Sequence, residues 1–261
     1  MIQRKRLAGN SGLGYYTSWE KASSKGCIYC GKVADTREHV PSKVFLSDAL
    51  LENLPTIPAC FECNNSYSND ERYVACFLDV LKSKIYFNYN LSERMEVRLE
   101  KDSSLKAIID ESIQTVDEKV CFDINENRLM RILTKLARGH AGYEFDYVNF
   151  DSSKLKVHYD YSFNLSDSDL CDFNNIPEFQ CYPEVGSRGI FVVENLGTRG
   201  KTAGYAFWSN IQKGRYRYRV EQNEQSDVCV KIVIYEFLYS RAEFRKNSNN
   251  SETRVSGEMN E

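Results

Sequence analysis

The chain has 261 residues, of which 42% are hydrophobic and 27% charged, and its formal net charge is −3. These values are typical of a globular protein, and no apolar run approaches the roughly 20 residues that span a bilayer. The overall balance also lacks the basic excess common in nucleic-acid-binding proteins. The basic amino terminus has no apolar segment of the secretory kind, so we expect a cytoplasmic protein with reduced cysteines.

Four regions follow one another along the chain. We expect residues 1–20 to form a flexible arm and residues 21–88 a small metal-stapled domain. Residues 89–245 are expected to form a mixed α+β domain, whose role in binding substrate or a partner the sequence leaves open. Residues 246–261 are polar and without aromatic side chains, so a disordered tail is predicted.

Apolar residues spaced three and four apart predict two amphipathic helices. In the first helix they are Val74, Phe77, Leu78 and Leu81. In the second helix they are Leu129, Ile132, Leu133 and Leu136. Asn125 is the expected N-cap of the second helix and Gly139 its expected end, which places His140 at the negative end of the helix. Segments near 84–98 and 105–123 look like strands, and most of 145–245 is predicted to be β. The fold class is therefore expected to be α+β.

Two C-x-x-C steps are the strongest chemical signal in the sequence. Cys27 and Cys30 form the first, and Cys60 and Cys63 form the second. Two such pairs separated by a short loop fit a tetrahedral zinc site with four thiolate ligands. The alternative is that some of these cysteines are simply buried small side chains.

A carboxylate–histidine pair, Glu38-His39, lies between the two cysteine pairs. Four thiolates already complete the coordination of zinc, so His39 is free for another role. Glu38 and Asn64 offer oxygen ligands of the kind that Mg²⁺ or Mn²⁺ prefers, and Asn65 or Glu71 could substitute for Asn64. A histidine with a pKa near neutrality can take a proton from water. A base, a hard cation and a phosphate together indicate phosphodiester hydrolysis.

The combined pattern C-x-x-C, E-H-x-P and C-x-x-C-N resembles that of HNH, or His-Me finger, endonucleases with a treble-clef zinc site. It is similar to the variant found in phage resolvases of the endonuclease VII type. The match covers about residues 21–75, with Glu38 where aspartate is commoner and Ser68 near the place of a frequent second histidine.

The resemblance implies an N-terminal ββα-metal fold, in which a hairpin carries the base and the next helix carries a metal ligand. It also implies a one-metal mechanism: His39 activates water, Glu38 and Asn64 hold the catalytic cation, and Asn53 braces the loop of the base. The expected substrate is nucleic acid, with DNA favoured, in a restriction-like or phage-defence role. The rival interpretation is a non-catalytic, zinc-stapled module that binds nucleic acid or protein.

Two groups of basic residues could contact phosphate groups. The first lies on the predicted second helix, away from the leucines, and comprises Arg128, Arg131, Lys135 and Arg138. The second alternates along a predicted strand and comprises Arg215, Arg217 and Arg219. An ordinary solvated surface is the alternative for both groups. A homodimer or a partner protein remains open.

Overall fold

The structure is a computed structural model that describes residues 23–47, 54–145, 154–175, 190–195, 200–205, 208–223 and 227–245. Within these residues the helices are α1 (Phe61–Ser66), α2 (Ser68–Ile85), α3 (Glu93–Lys101), α4 (Ser103–Ser112), α5 (Glu126–Phe145) and α6 (Asp167–Asn174). The strands are β1 (Thr36–His39), β2 (Thr56–Ala59), β3 (Ile113–Val116), β4 (Lys119–Phe122), β5 (Leu155–Tyr161), β6 (Ile190–Asn195), β7 (Gly200–Tyr205), β8 (Ser209–Gln212), β9 (Tyr216–Asn223), β10 (Val228–Ile234) and β11 (Leu238–Phe244). A short 3-10 turn, Lys43–Phe45, follows β1.

A small antiparallel pair of strands, β1 and β2, precedes the first helix. Glu38 lies opposite Ile57 in this pair, and His39 lies opposite Thr56 at its end. Ile57 is fully buried, so the pair packs one face against the helices behind it. The chain then passes directly from β2 into α1, which places the second cysteine pair at the end of the strand.

An antiparallel sheet of β5 to β11 forms the larger part of the fold. Its strand order is β5-β11-β10-β9-β7-β6, and β8 pairs with β9 beside this path. Val230 and Ile232 of β10 are fully buried, whereas Lys231 between them is not, because successive side chains of a strand point to opposite faces. Helix α5 packs against β9, β10 and β11, and α2 packs against α5. Mixed α and β structure, predicted from the sequence, is thereby confirmed.

One hydrophobic core joins the helices to the large sheet. It includes Leu46 before the first helices, Phe77 of α2, Leu133 of α5 and both Tyr218 and Ile232 of the sheet. Residues before and after position 88 belong to this same cluster. The predicted boundary between residues 88 and 89 therefore does not separate two hydrophobic cores.

Helix α5 confirms one sequence prediction and corrects another. Its predicted N-cap is formed, since the Asn125 side chain accepts a hydrogen bond from the backbone NH of Arg128 at 3.1 Å. The predicted end at Gly139 is wrong, because α5 continues to Phe145. A Cβ at Gly139 would lie 3.2 Å from Cγ2 of Val40, so glycine here permits close packing of α5 against the small hairpin.

The segments near 84–98 and 105–123 were expected to be strands. That prediction is wrong for the first segment, which the structure describes throughout and which contains the end of α2 and most of α3 and no strand. It holds for the second half of the other segment, where β3 and β4 follow α4. The buried residues of α3 and α4 are Met95, Leu99, Leu105 and Ile109, spaced four apart within each helix, which is a helical rather than a strand period.

In the part of the chain that the structure describes, no helix has the length and apolar character needed to cross a membrane. The predicted arm at residues 1–20, the predicted tail at residues 246–261 and Asn53 lie outside the described residues.

Candidate functional site

Four cysteine side chains converge beside the small hairpin. The Sγ atoms of Cys27, Cys30, Cys60 and Cys63 all lie within 4.8 Å of one another, and those of Cys30 and Cys60 are 3.7 Å apart. A zinc–thiolate bond of about 2.3 Å and tetrahedral angles place sulfur atoms about 3.8 Å apart. The geometry therefore fits a four-thiolate zinc site, as the spacing predicts.

Local backbone geometry forms the first cysteine pair. The backbone NH of Gly31 donates to the carbonyl of Cys27 at 2.8 Å, and the NH of Cys27 donates to that of Lys32 at 2.7 Å. Gly26 adopts a φ of +82°, and a Cβ there would lie 2.7 Å from the Gly31 carbonyl oxygen. Because only glycine tolerates both the positive φ and this close approach, the sequence G-C-x-x-C-G specifies the turn.

The second cysteine pair, Cys60 and Cys63, lies at the start of α1. The backbone NH of Cys63 points to Sγ of Cys60 at 3.4 Å, and this contact lowers the pKa of the Cys60 thiol. Burial instead raises the pKa of the thiols of Cys27 and Cys63. A bound cation that favours thiolates would offset that burial, so zinc binding and folding should be coupled here.

His39 ends β1 and is half-buried. Its Nδ1 atom is buried, and no described residue forms a hydrogen bond with it. Burial lowers the pKa of His39, and the nearby positive charge of Lys43 lowers it further. The imidazole is therefore neutral at pH 7 and able to accept a proton.

Glu38, the neighbour of His39, is buried and already carries a cationic partner. The Lys135 ammonium lies 3.0 Å from its Oε1 atom, and the Ser42 hydroxyl donates to the same oxygen at 3.3 Å. Lys135 is only 2% exposed, and both it and Ser42 also form hydrogen bonds with Glu71. Burial raises the pKa of Glu38, Lys135 opposes the rise, and Glu71 adds to it. We call this set of four residues the Glu38–Lys135 cluster.

Asn64, the other predicted cation ligand, contacts a different partner. Its side-chain NH₂ donates to the hydroxyl of Thr36 at 3.1 Å, which ties α1 to β1. No described residue donates a hydrogen bond to the side-chain carbonyl oxygen of Asn64. Glu71 shares the partners Lys135 and Ser42 with Glu38, whereas Asn64 does not. Asn65 is exposed.

No family model, curated protein or solved structure matches this chain.

The structure corrects the prediction that the basic residues of α5 form a solvent-facing ridge. Lys135 is buried in the Glu38–Lys135 cluster, so it cannot contact phosphate groups from solution. Arg128 pairs with Asp70 at 2.8 Å, Arg131 also pairs with Asp70, and Arg138 is half-buried. Arg128 and Arg131 thus share the single carboxylate of Asp70, and Arg131 stays exposed. Burial of Lys135 was not predicted, although its position three residues after the buried Ile132 places it beside the apolar stripe.

The predicted phosphate-binding row on β9 is likewise corrected. Arg215 precedes the strand and bonds the fully buried Asp79 of α2 at 2.9 Å. Arg217 pairs with Glu236 at 2.7 Å. Arg219 is 1% exposed and lies 2.8 Å from Glu221. These arginines are therefore paired within the fold and do not form an open basic surface.

Proposed function

We propose that the chain hydrolyses phosphodiester bonds in nucleic acid, with His39 as the general base and the four cysteines holding a structural zinc ion. DNA is the first substrate to test. The observation that carries the proposal is a neutral, half-buried histidine at the end of a hairpin that the four-cysteine cluster braces. The hairpin followed directly by α1 also agrees with the ββα-metal, treble-clef arrangement that the sequence resemblance implies.

In this reaction His39 removes a proton from water as the water oxygen attacks phosphorus, and the opposite P–O bond breaks. A Mg²⁺ or Mn²⁺ ion would supply positive charge to the phosphate oxygens. Oε1 of Glu38 bonds the Lys135 ammonium and the side-chain NH₂ of Asn64 bonds Thr36, so a cation held jointly by Glu38 and Asn64 would be held through Oε2 of Glu38 and the side-chain oxygen of Asn64. The assignment of proton transfer to His39 does not depend on either ligand.

Cleavage of plasmid DNA, single-stranded DNA and RNA, with Mg²⁺ or Mn²⁺ and with EDTA, tests this function. His39→Ala should lower the rate by about 10²–10⁴, the usual contribution of a positioned base. His158→Ala is the matched control, because His158 is an exposed histidine on β5 and its loss should leave the rate unchanged. Equal rates for His39→Ala and the unaltered protein would remove His39 from the mechanism.

One observation favours a second candidate, a non-catalytic zinc-stapled binding module. The carboxylate of Glu38, which a catalytic cation would need, already pairs with the Lys135 ammonium through Oε1. A folded, zinc-loaded protein that binds nucleic acid or protein but cleaves neither DNA nor RNA would favour this candidate over hydrolysis.

A further inference from the structure

A groove of about 390 Å³ lies between α2 and α3, away from the four cysteines. The residues that line it are Arg72, Arg94, Val97, Arg98, Lys101 and Asp102. Four of these side chains are cationic and one is anionic. Asp102 also accepts a hydrogen bond from the backbone NH of Leu105 at 3.0 Å, because it caps the next helix. The groove therefore carries an excess of positive charge.

Helix α3 separates its charges by sign. Its basic stripe consists of Arg94, Arg98 and Lys101. Its acidic stripe consists of Glu93, Glu96 and Glu100. At 100° per residue the basic stripe occupies one face and the acidic stripe another, so each charged pair three or four residues apart joins like charges. Such pairs destabilise a helix, whereas alternating signs would stabilise it. The arrangement is unfavourable for the helix alone and favourable if the basic face meets an anion.

Within the described part of the chain, three cations of the groove, Arg94, Arg98 and Lys101, lack the carboxylate partners that Arg215, Arg217 and Arg219 have. Arg94 donates to the backbone carbonyls of Lys43 and Leu46, at 3.0 and 2.9 Å, and Arg98 points to the Met95 sulfur at 3.4 Å. Among the described residues, no carboxylate lies within ion-pair distance of Arg94, Arg98 or Lys101. Arg72 lies 3.6 Å from Asp102, which is a long contact. Burial and the charge of Arg98 both lower the pKa of Arg94, as expected where like charges crowd together.

The position of the groove connects it to His39. Arg94 bonds both ends of the segment from Lys43 to Leu46, which follows β1 and its terminal His39. Lys43 is exposed, and its charge acts on the His39 imidazole. Lys43 is thus linked to the His39 imidazole through its charge and to Arg94 of the basic stripe through its backbone carbonyl.

We propose that this groove binds the phosphate backbone of the nucleic-acid substrate and leads it to His39. The inference rests on the proposed function and names its substrate-binding surface. Guanidinium groups match the geometry of phosphate oxygens, and such contacts fix the position of a nucleic acid without reading its sequence. Binding through the groove is therefore independent of base sequence and strongly dependent on salt.

The experiment measures binding of a short fluorescent DNA duplex by anisotropy at several salt concentrations. The groove variant replaces Arg72, Arg98 and Lys101 by alanine in a His39→Ala background and is assayed in EDTA, so that cleavage does not compete with the binding measurement. Arg94 is left in place because it holds the Lys43–Leu46 segment. The matched control replaces Lys84, Lys106 and Lys119 by alanine. These lysines are exposed, so the control removes the same amount of positive charge from a different part of the surface. Circular dichroism melting confirms that each variant is folded.

We expect the groove variant to lose at least about tenfold in affinity and its salt slope to fall by about 2–3, since each phosphate contact contributes about 0.9. The control should change affinity by less than about twofold at the same salt, because distant exposed charges are screened. The proposal is overturned if the groove variant and the control lose equal affinity for DNA. It is also overturned if the groove variant binds DNA as tightly as its parent, or if neither the groove variant nor the control binds DNA.

A separate measurement distinguishes this proposal from the proposed hydrolysis. If the groove variant keeps its affinity while His39→Ala abolishes cleavage in an otherwise unaltered chain, the groove assignment fails and hydrolysis stands. If the groove variant loses affinity while the protein with His39 intact cleaves nothing, the groove assignment stands and hydrolysis fails.

Discussion

Replacing Lys135 by methionine tests whether its ammonium is the shared counter-ion of the two buried carboxylates of the Glu38–Lys135 cluster, Glu38 and Glu71. Methionine keeps an unbranched, apolar side chain of similar length and removes only the charge and its donors. The side chains of Glu38 and Glu71 are 6% and 11% exposed, so both would remain out of water without a cation. Removing one partner from a buried ion pair costs about 3–5 kcal/mol, and we expect a loss of that size at neutral pH.

The loss should depend on pH in a defined direction. Burial already raises the pKa of Glu38 while Lys135 is present, and removal of the ammonium should raise it further. A carboxyl group whose folded pKa exceeds its unfolded value of about 4.3 binds protons more tightly in the folded state. Its contribution to stability is greatest below the unfolded pKa and falls as the pH rises through the folded pKa. The Lys135→Met variant should therefore be closest to the unaltered protein near pH 4 and furthest from it at pH 7.

Urea unfolding followed by circular dichroism measures both effects. Lys84→Met, an exposed lysine of α2, is the control and should change the free energy of unfolding by less than about 0.5 kcal/mol. Adding Glu38→Gln to Lys135→Met should recover part of the loss, because one buried charge is removed. A loss below about 1 kcal/mol for Lys135→Met at pH 7, where at least about 3 is expected, would refute the assignment of Lys135 as the buried counter-ion.

Four further outcomes follow from the structure. Cys60→Ser should remove a ligand and unfold the N-terminal unit, whereas the unaltered protein should contain about one zinc per chain by elemental analysis; a folded, zinc-free protein would contradict this. Gly26→Ala should lower stability by about 1–2 kcal/mol or more and weaken zinc retention, because its φ is +82°. Arg215→Ala should cost about 3–5 kcal/mol in urea unfolding, since Asp79 would be left buried without its partner, and should leave the salt dependence of DNA binding unchanged. The cleavage rate should rise with pH through a pKa below about 6.5, because the neutral form of His39 is the base and its pKa is lowered; a midpoint above that value would argue against this assignment.

Local features of the sequence determined the parts of the fold that depend on neighbours along the chain. The two C-x-x-C steps predicted the four-cysteine cluster because each step sets the geometry of its own turn, with Gly26 required by the backbone. The N-cap at Asn125 and the apolar stripes of α2 and α5 were predictable for the same reason, since capping and helical spacing act within a few residues. The base candidate His39 was found from its position between the two pairs.

Only the tertiary structure decided which charges are paired. Lys135 meets Glu38 across 97 positions of sequence, and Arg215 meets Asp79 across 136. A sequence shows the sign of a charge and its place on a helix or strand, but its partner depends on how distant elements pack. Lys135, Arg215, Arg217 and Arg219, which the sequence placed on nucleic-acid surfaces, therefore form buried or half-buried ion pairs, whereas Arg131 pairs with Asp70 at the surface. The basic stripe of α3, which has no carboxylate partners among the described residues, begins in a segment predicted to be a strand. Only the helix places these side chains on one face, and only the packing of α2 against α3 places Arg72 beside them.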